Sequence, residues 1–128
     1  DMQGESFRYL LTGQPLEACS RVVYYHYWLH LAHLYTPAHL GLRDERYKLV
    51  YFYGLPLDAT GALDEVTPTG WELYDLQADP CEMRNLYGDP AYGEVTARLK
   101  AELTRQRRVT GEEGLYPALD ARLAENLL

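Results

Sequence analysis

Cysteine is scarce: Cys19 and Cys81 are the only two in 128 residues. Two thiols half a chain apart make no disulfide framework. Both read as free, with a single disulfide as the alternative. Serine is equally sparse, at Ser6 and Ser20. Gly4-Glu-Ser6 lacks the second glycine of a nucleophile elbow, so Ser6 reads as a helix cap. Neither cysteine carries the local signature of a thiol nucleophile, and Cys81 reads as a packed thiol. No GxGxxG or GxxxxGK phosphate loop occurs. Basic residues are in deficit, 12 against 19 acidic, for a net charge of −7. Nucleic acid is thereby excluded as a partner, because its binders need a basic stripe to neutralise phosphates. No run of 18 apolar residues exists, so no segment reads as a membrane-spanning helix. Asp58, Asp64 and Glu65 lack EF-hand spacing and read as a solvated loop.

What is present looks globular: 47% of residues are apolar and 24% charged, in a length of one domain. Tyrosine dominates the aromatics, with 12 of them beside two Trp and two Phe. A tyrosine buries a large ring and keeps a polar tip, which suits half-buried strands and the walls of a sugar or anion pocket. The opening Asp1-Met-Gln-Gly4 reads as the start of a processed or excised piece, with no signal-peptide pattern. Compartment and oligomeric state are left open.

Gly, Pro and Asp punctuate the chain. Ser6 is placed to cap a short helix through Phe7–Leu11 that Gly13 stops. Leu10 and Leu11 then need an apolar partner. Arg21–Trp28 and Arg46–Tyr53 are rich in β-branched and aromatic residues and read as strands. Residues 29–41 lose that alternation, and Pro37 and Gly41 mark them as a loop. Within the second strand Tyr47, Leu49, Tyr51 and Tyr53 share one face. After a long connection, Trp71–Leu76 returns as a strand with Trp71, Leu73 and Asp75 on one side. These Trp, Leu and Tyr positions read as core, and Asp75 as an acceptor of backbone N–H groups in the turn that follows.

Asp79-Pro80 opens a single helical turn that Glu82 completes as a capping box. Asp89-Pro90 starts a longer helix to about Arg108. Tyr92, Val95, Leu99 and Leu103 form its apolar stripe. Arg105, Arg107 and Arg108 sit where cations favour the helix dipole and are assigned no ligand. Residues 118–127 form either a short helix or a loose tail. The sum is α+β: a small antiparallel sheet with one long C-terminal helix packed across a face.

The histidines are the chemical concentration: His26, His30, His33 and His39 fall within 14 residues. On a helix the first three would share a face suited to zinc. The strand reading of His26 and the scarcity of nearby carboxylates argue against that, and no metal site is assigned. Ordinary solvated histidines on a loop rim are one alternative, and contact with an anion or sugar is the other. His39 and Arg43 flank Gly41, and an imidazole and a guanidinium on one loop can hold a sulfate, phosphate or carboxylate.

Three phrases in order carry a resemblance: His39-Leu-Gly-Leu-Arg43-Asp-Glu-Arg-Tyr47-Lys-Leu-Val-Tyr51, Trp71-Glu-Leu-Tyr-Asp-Leu76, and Asp79-Pro-Cys-Glu82-Met-Arg-Asn85-Leu86. Together with Met2–Gly13 they resemble the C-terminal region of type I sulfatases, in the alkaline phosphatase superfamily. Phosphonate monoester hydrolases share much of the pattern. Asp44 stands where threonine is usual, and Cys81 where an aromatic is common. The resemblance implies a four-stranded antiparallel sheet with a long helix, docked on a sulfatase-like catalytic domain and shaping a pocket for a sulfated small molecule or carbohydrate. It implies substrate-binding roles for His39 and Arg43, on a loop facing the cleft. It divides the chain into the end of a catalytic domain (1–18), the subdomain (19–110) and an acidic tail (111–128).

The family's formylglycine motif C/S-x-P-x-R is not in this chain, and its calcium ligands belong to the catalytic domain. No catalytic residue or cofactor is therefore assigned here, and the chain is expected to be inactive alone. A standalone module binding an anionic carbohydrate and a phosphonate or phosphate ester hydrolase fragment are the alternatives.

Overall fold

A computed structural model describes residues 8–13 and 22–126. The expected cap at Ser6, the thiol of Cys19 and the side chain of Leu10 lie outside what is described. Helix α1 spans Arg8–Thr12 and ends at Gly13, whose φ of 69° is the left-handed stop expected of glycine.

Four strands follow: β1 (Val23–Tyr27), β2 (His39–Arg43), β3 (Tyr47–Phe52) and β4 (Gly70–Asp75). They form one antiparallel sheet in sequential order. Strand β2 corrects the loop reading of residues 39–41. Its side chains alternate: Leu40 and Leu42 are fully buried on the core side, while His39 and Arg43 point to the other side and Gly41 is buried between them. Gly41, mid-strand, concealed that period. A Cβ there would lie 2.5 Å from the Leu49 carbonyl oxygen and 2.6 Å from the Tyr25 hydroxyl. The position is a close approach of two backbones with a ring laid over it, not a turn.

Asp44 closes the β2–β3 hairpin. Its carboxylate accepts from the backbone N–H groups of Arg46 and Tyr47 and from Arg98 on the following helix. Burial alone would raise this carboxyl, but those donors outweigh it and hold it below its ordinary value.

The chain then passes through Asp89, which caps a 3₁₀ turn (Pro90–Tyr92) by accepting from the Ala91 N–H, into helix α2 (Gly93–Val109). Helix α3 (Pro117–Asn126) follows, so residues 117–126 are helical and not a loose tail. Leu99 and Leu103 of α2, and Leu119 and Leu123 of α3, join Leu40, Leu42, Leu49, Tyr51, Trp71 and Leu73 in one core. Side-chain to backbone bonds tie α3 to the sheet: Tyr51 donates to Arg122 O, Trp71 Nε1 to Asn126 O, and Arg122 to Tyr53 O. Arg105, Arg107 and Arg108 each pair with a carboxylate (Glu102, Asp120 and Glu113), consistent with assigning them no ligand.

Asp75 is buried and accepts from Gln77 and Ala78 N–H as expected, and also from Arg46. The capping box at 79–82 did not form. Glu82 adopts φ of 55° and reaches back to Lys48, 2.6 Å away, while Asp79 accepts from the Arg84 N–H. Residues 80 and 81 form a turn, and the rest of 79–86 is irregular. Cys81 is free and exposed there, which overturns its reading as a packed thiol.

Candidate functional site

Helices α2 and α3 cover one face of the sheet. The register leaves the opposite face with Val23, Tyr25 and Tyr27 from β1, His39 and Arg43 from β2, Lys48, Val50 and Phe52 from β3, and Glu72 and Tyr74 from β4. Tyrosines supply most of its ring surface. Tyr25 lies over Gly41, and burial pushes its phenol well above the ordinary value. The hydroxyls of Tyr25 and Tyr27 are both buried without a hydrogen-bond partner. Buried hydroxyls in that state are rare in a finished structure.

His39 opens this face. Its ring stacks on Tyr27 at 5.2 Å and 27°, sits 5.0 Å from Phe52, and takes the edge of Tyr25 at 6.1 Å. Its Nδ1 is 2.8 Å from the Pro37 carbonyl oxygen. Burial pulls the imidazole below its ordinary value, opposed by that carbonyl. Arg43 lies on the same face at the far end of β2 and is exposed. Four residues of strand separate their Cα atoms by roughly 13 Å. The two expected residues thus share one face of the sheet.

The other histidines disperse. His26 lies on the core side of β1, with Nδ1 3.1 Å from Glu112 and Nε2 3.0 Å from the Tyr53 hydroxyl. Glu112 also accepts from the Tyr24 hydroxyl. Burial would raise the Glu112 carboxyl, but the bonds from His26 and Tyr24 hold it below its ordinary value. His30 is fully buried and accepts the Ala38 N–H at Nδ1. His33 is exposed. A zinc face shared by His26, His30 and His33 does not exist, and no group of three or more metal-ligating side chains occurs among the described residues. Asp58, Asp64 and Glu65 are exposed, as the solvated-loop reading has them.

A groove of about 320 Å³ between Tyr87 and Lys100 lies at the head of α2, away from His39. The aromatic box around His39 was not visible in sequence. Tyr25, Tyr27 and Phe52 look like ordinary strand residues until the register places them beside one ring.

The chain is similar to known proteins. The family N-sulphoglucosamine sulphohydrolase, C-terminal, matches residues 1–109. The chain belongs to that family. A curated N-acetylglucosamine-6-O-sulfatase from Bacteroides thetaiotaomicron is 33% identical over 101 residues, covering 77% of this chain and 16% of that protein. The solved structure of BT4656 in complex with its substrate, D-glucosamine-2-N,6-O-disulfate, matches with a TM-score of 0.62 at 30% identity, covering 79% of this chain and 18% of that one. BT1596, a 2-O GAG sulfatase, matches with a TM-score of 0.61 at 27% identity, covering 84% and 20%. The chain therefore spans about a fifth or less of the length of these relatives. Its sheet of four strands and its long helix are the architecture that the resemblance implied.

Proposed function

We propose that this domain forms one wall of the substrate cleft of a hydrolase that cleaves sulfate esters on a sulfated sugar, and is inactive alone. The observation that carries the reading is the family match over residues 1–109, joined to a half-buried aromatic face of the sheet, opposite the helices, with a fixed imidazole at its edge. The sulfated glucosamine bound by BT4656 makes a sulfated amino sugar the first substrate to try. The calcium and formylglycine implied by the resemblance do not fit residues of this chain: Cys81 is followed by Glu82-Met83, and the described residues hold no carboxylate cluster. They would come from a sulfatase-like catalytic domain.

That catalytic domain would pack against the sheet face opposite the helices. This chain covers only 16% and 20% of two of its relatives, which leaves ample chain to do so. His39 would face the substrate where the two domains meet. Arg43, roughly 13 Å along the strand, would contact the catalytic domain or a second point of a longer substrate.

The test is activity of the full-length protein that carries this chain against a panel of sulfated glucosamines and a phosphonate monoester. Release of sulfate, with His39→Ala lowering kcat/KM at unchanged Tm, is the expected result. Hydrolysis of the phosphonate alone would move the protein to the sister activity. Wild-type kinetics in His39→Ala would remove the substrate role of that residue.

A further inference from the structure

The hydrogen bond at His39 Nδ1 decides what its other nitrogen can do. A carbonyl oxygen only accepts, so Nδ1, 2.8 Å from Pro37 O, carries the proton. In the neutral ring Nε2 then holds a lone pair and is an acceptor. None of the hydrogen bonds among the described residues uses Nε2. The ring cannot readily turn to exchange the two nitrogens, because Tyr27 stacks on it and Phe52 and Tyr25 close its sides.

The surroundings keep it neutral near pH 7. Burial is the main cause of its lowered basicity, and the facing groups do not reverse it. From β1 these are Tyr25 and Tyr27; from β3, Lys48; from β4, Glu72; the charge of His26, on the core side of β1, also lowers it. A neutral acceptor suits a donor. Brought against a sulfate oxygen it would set lone pair against lone pair.

We propose that His39 recognises a hydroxyl of the sugar, accepting its hydrogen at Nε2, and leaves the sulfate group to other residues. The proposal rests on the reading that His39 faces the substrate. It adds that the contact is specific for a hydroxyl hydrogen and is lost when the imidazole takes a second proton.

The experiment uses the full-length protein, a sulfated glucosamine, and monodeoxy analogues that each lack one hydroxyl. In the wild type, one analogue should lose about tenfold in kcat/KM, the scale of one neutral hydrogen bond. His39→Ala should lose a similar factor on the parent sugar and be indifferent to that one deletion. The wild-type kcat/KM on the parent should also fall on the acid side as His39 protonates, and that limb should vanish with the same analogue. Equal losses for His39→Ala on every analogue would overturn the hydroxyl assignment while leaving a substrate contact in place. No loss on any sugar would overturn the substrate-facing reading itself. If His39→Ala proves unstable, the acid limb decides: present on the parent and absent on one analogue supports the proposal, and present on all overturns it.

Discussion

Replacing Gly41 by alanine tests the packing of the sheet at its tightest point. The added methyl would meet three atoms: Leu49 O at 2.5 Å, Tyr25 Oη at 2.6 Å and Tyr25 Cζ at 2.7 Å. These obstacles differ in kind. The Tyr25 ring is a side chain and can rotate outward. The Leu49 oxygen is backbone of β3, held in the ladder by the 42–49 register, and it moves only if β2 and β3 part. Overpacking of this kind costs about 1–3 kcal/mol. With the β2–β3 backbone involved, the upper half of that range is expected, about 2 kcal/mol. At about 4 °C per kcal/mol, the melting temperature would drop by about 8 °C. Urea melts of the wild type, Gly41→Ala, Tyr25→Ala and the double variant separate the two obstacles. If the backbone contact dominates, at least half the cost of Gly41→Ala should survive without the Tyr25 ring. A Gly41→Ala variant within 0.5 kcal/mol of wild type, a margin set by ordinary surface substitutions, would refute the close approach altogether.

Three further outcomes are expected. Leu123→Ala empties a buried position of α3 and should cost about 2–5 kcal/mol, measured by the same melts; a neutral result would mean that α3 is not part of the core. Glu112 has a folded-state value below its ordinary 4.5, so its stabilising contribution is complete above about pH 4.5 and is lost as pH falls through the lower folded value. Glu112→Gln should therefore flatten the dependence of the urea midpoint on pH below about 4.5, and an unchanged slope would show that the His26–Glu112–Tyr24 cluster does not form. Cys81 should take up a thiol reagent in native buffer, with peptide mapping placing the label on it; protection of Cys81 until urea is added would contradict its exposed position.

Local chemistry wrote several elements in plain view. The β-branched and aromatic runs of β1 and β3, the alternation of Trp71, Leu73 and Asp75, and the Asp89-Pro90 start of the helical region each depend on neighbours in sequence. They could be read without knowing what they pack on. The family phrases likewise lie in sequence order, so membership was legible too.

Tertiary structure decided the rest. Gly41 looks like a loop residue until two strands and a tyrosine ring leave no room for a Cβ. Asp79 and Glu82 have capping-box spacing, but an ion pair with Lys48, 34 positions away, draws Glu82 elsewhere. Residues 117–126 could be helix or tail on their own; the sheet face that buries Leu119 and Leu123 settles it. For the site, the sequence by itself determined that His39 and Arg43 would lie near one another along the chain. Only the fold set them on one strand face roughly 13 Å apart and surrounded His39 with three aromatic rings from two other strands. Sequence spacing governs contacts within a few residues. The surroundings of a side chain on a sheet depend on register, and register is a property of pairs of strands.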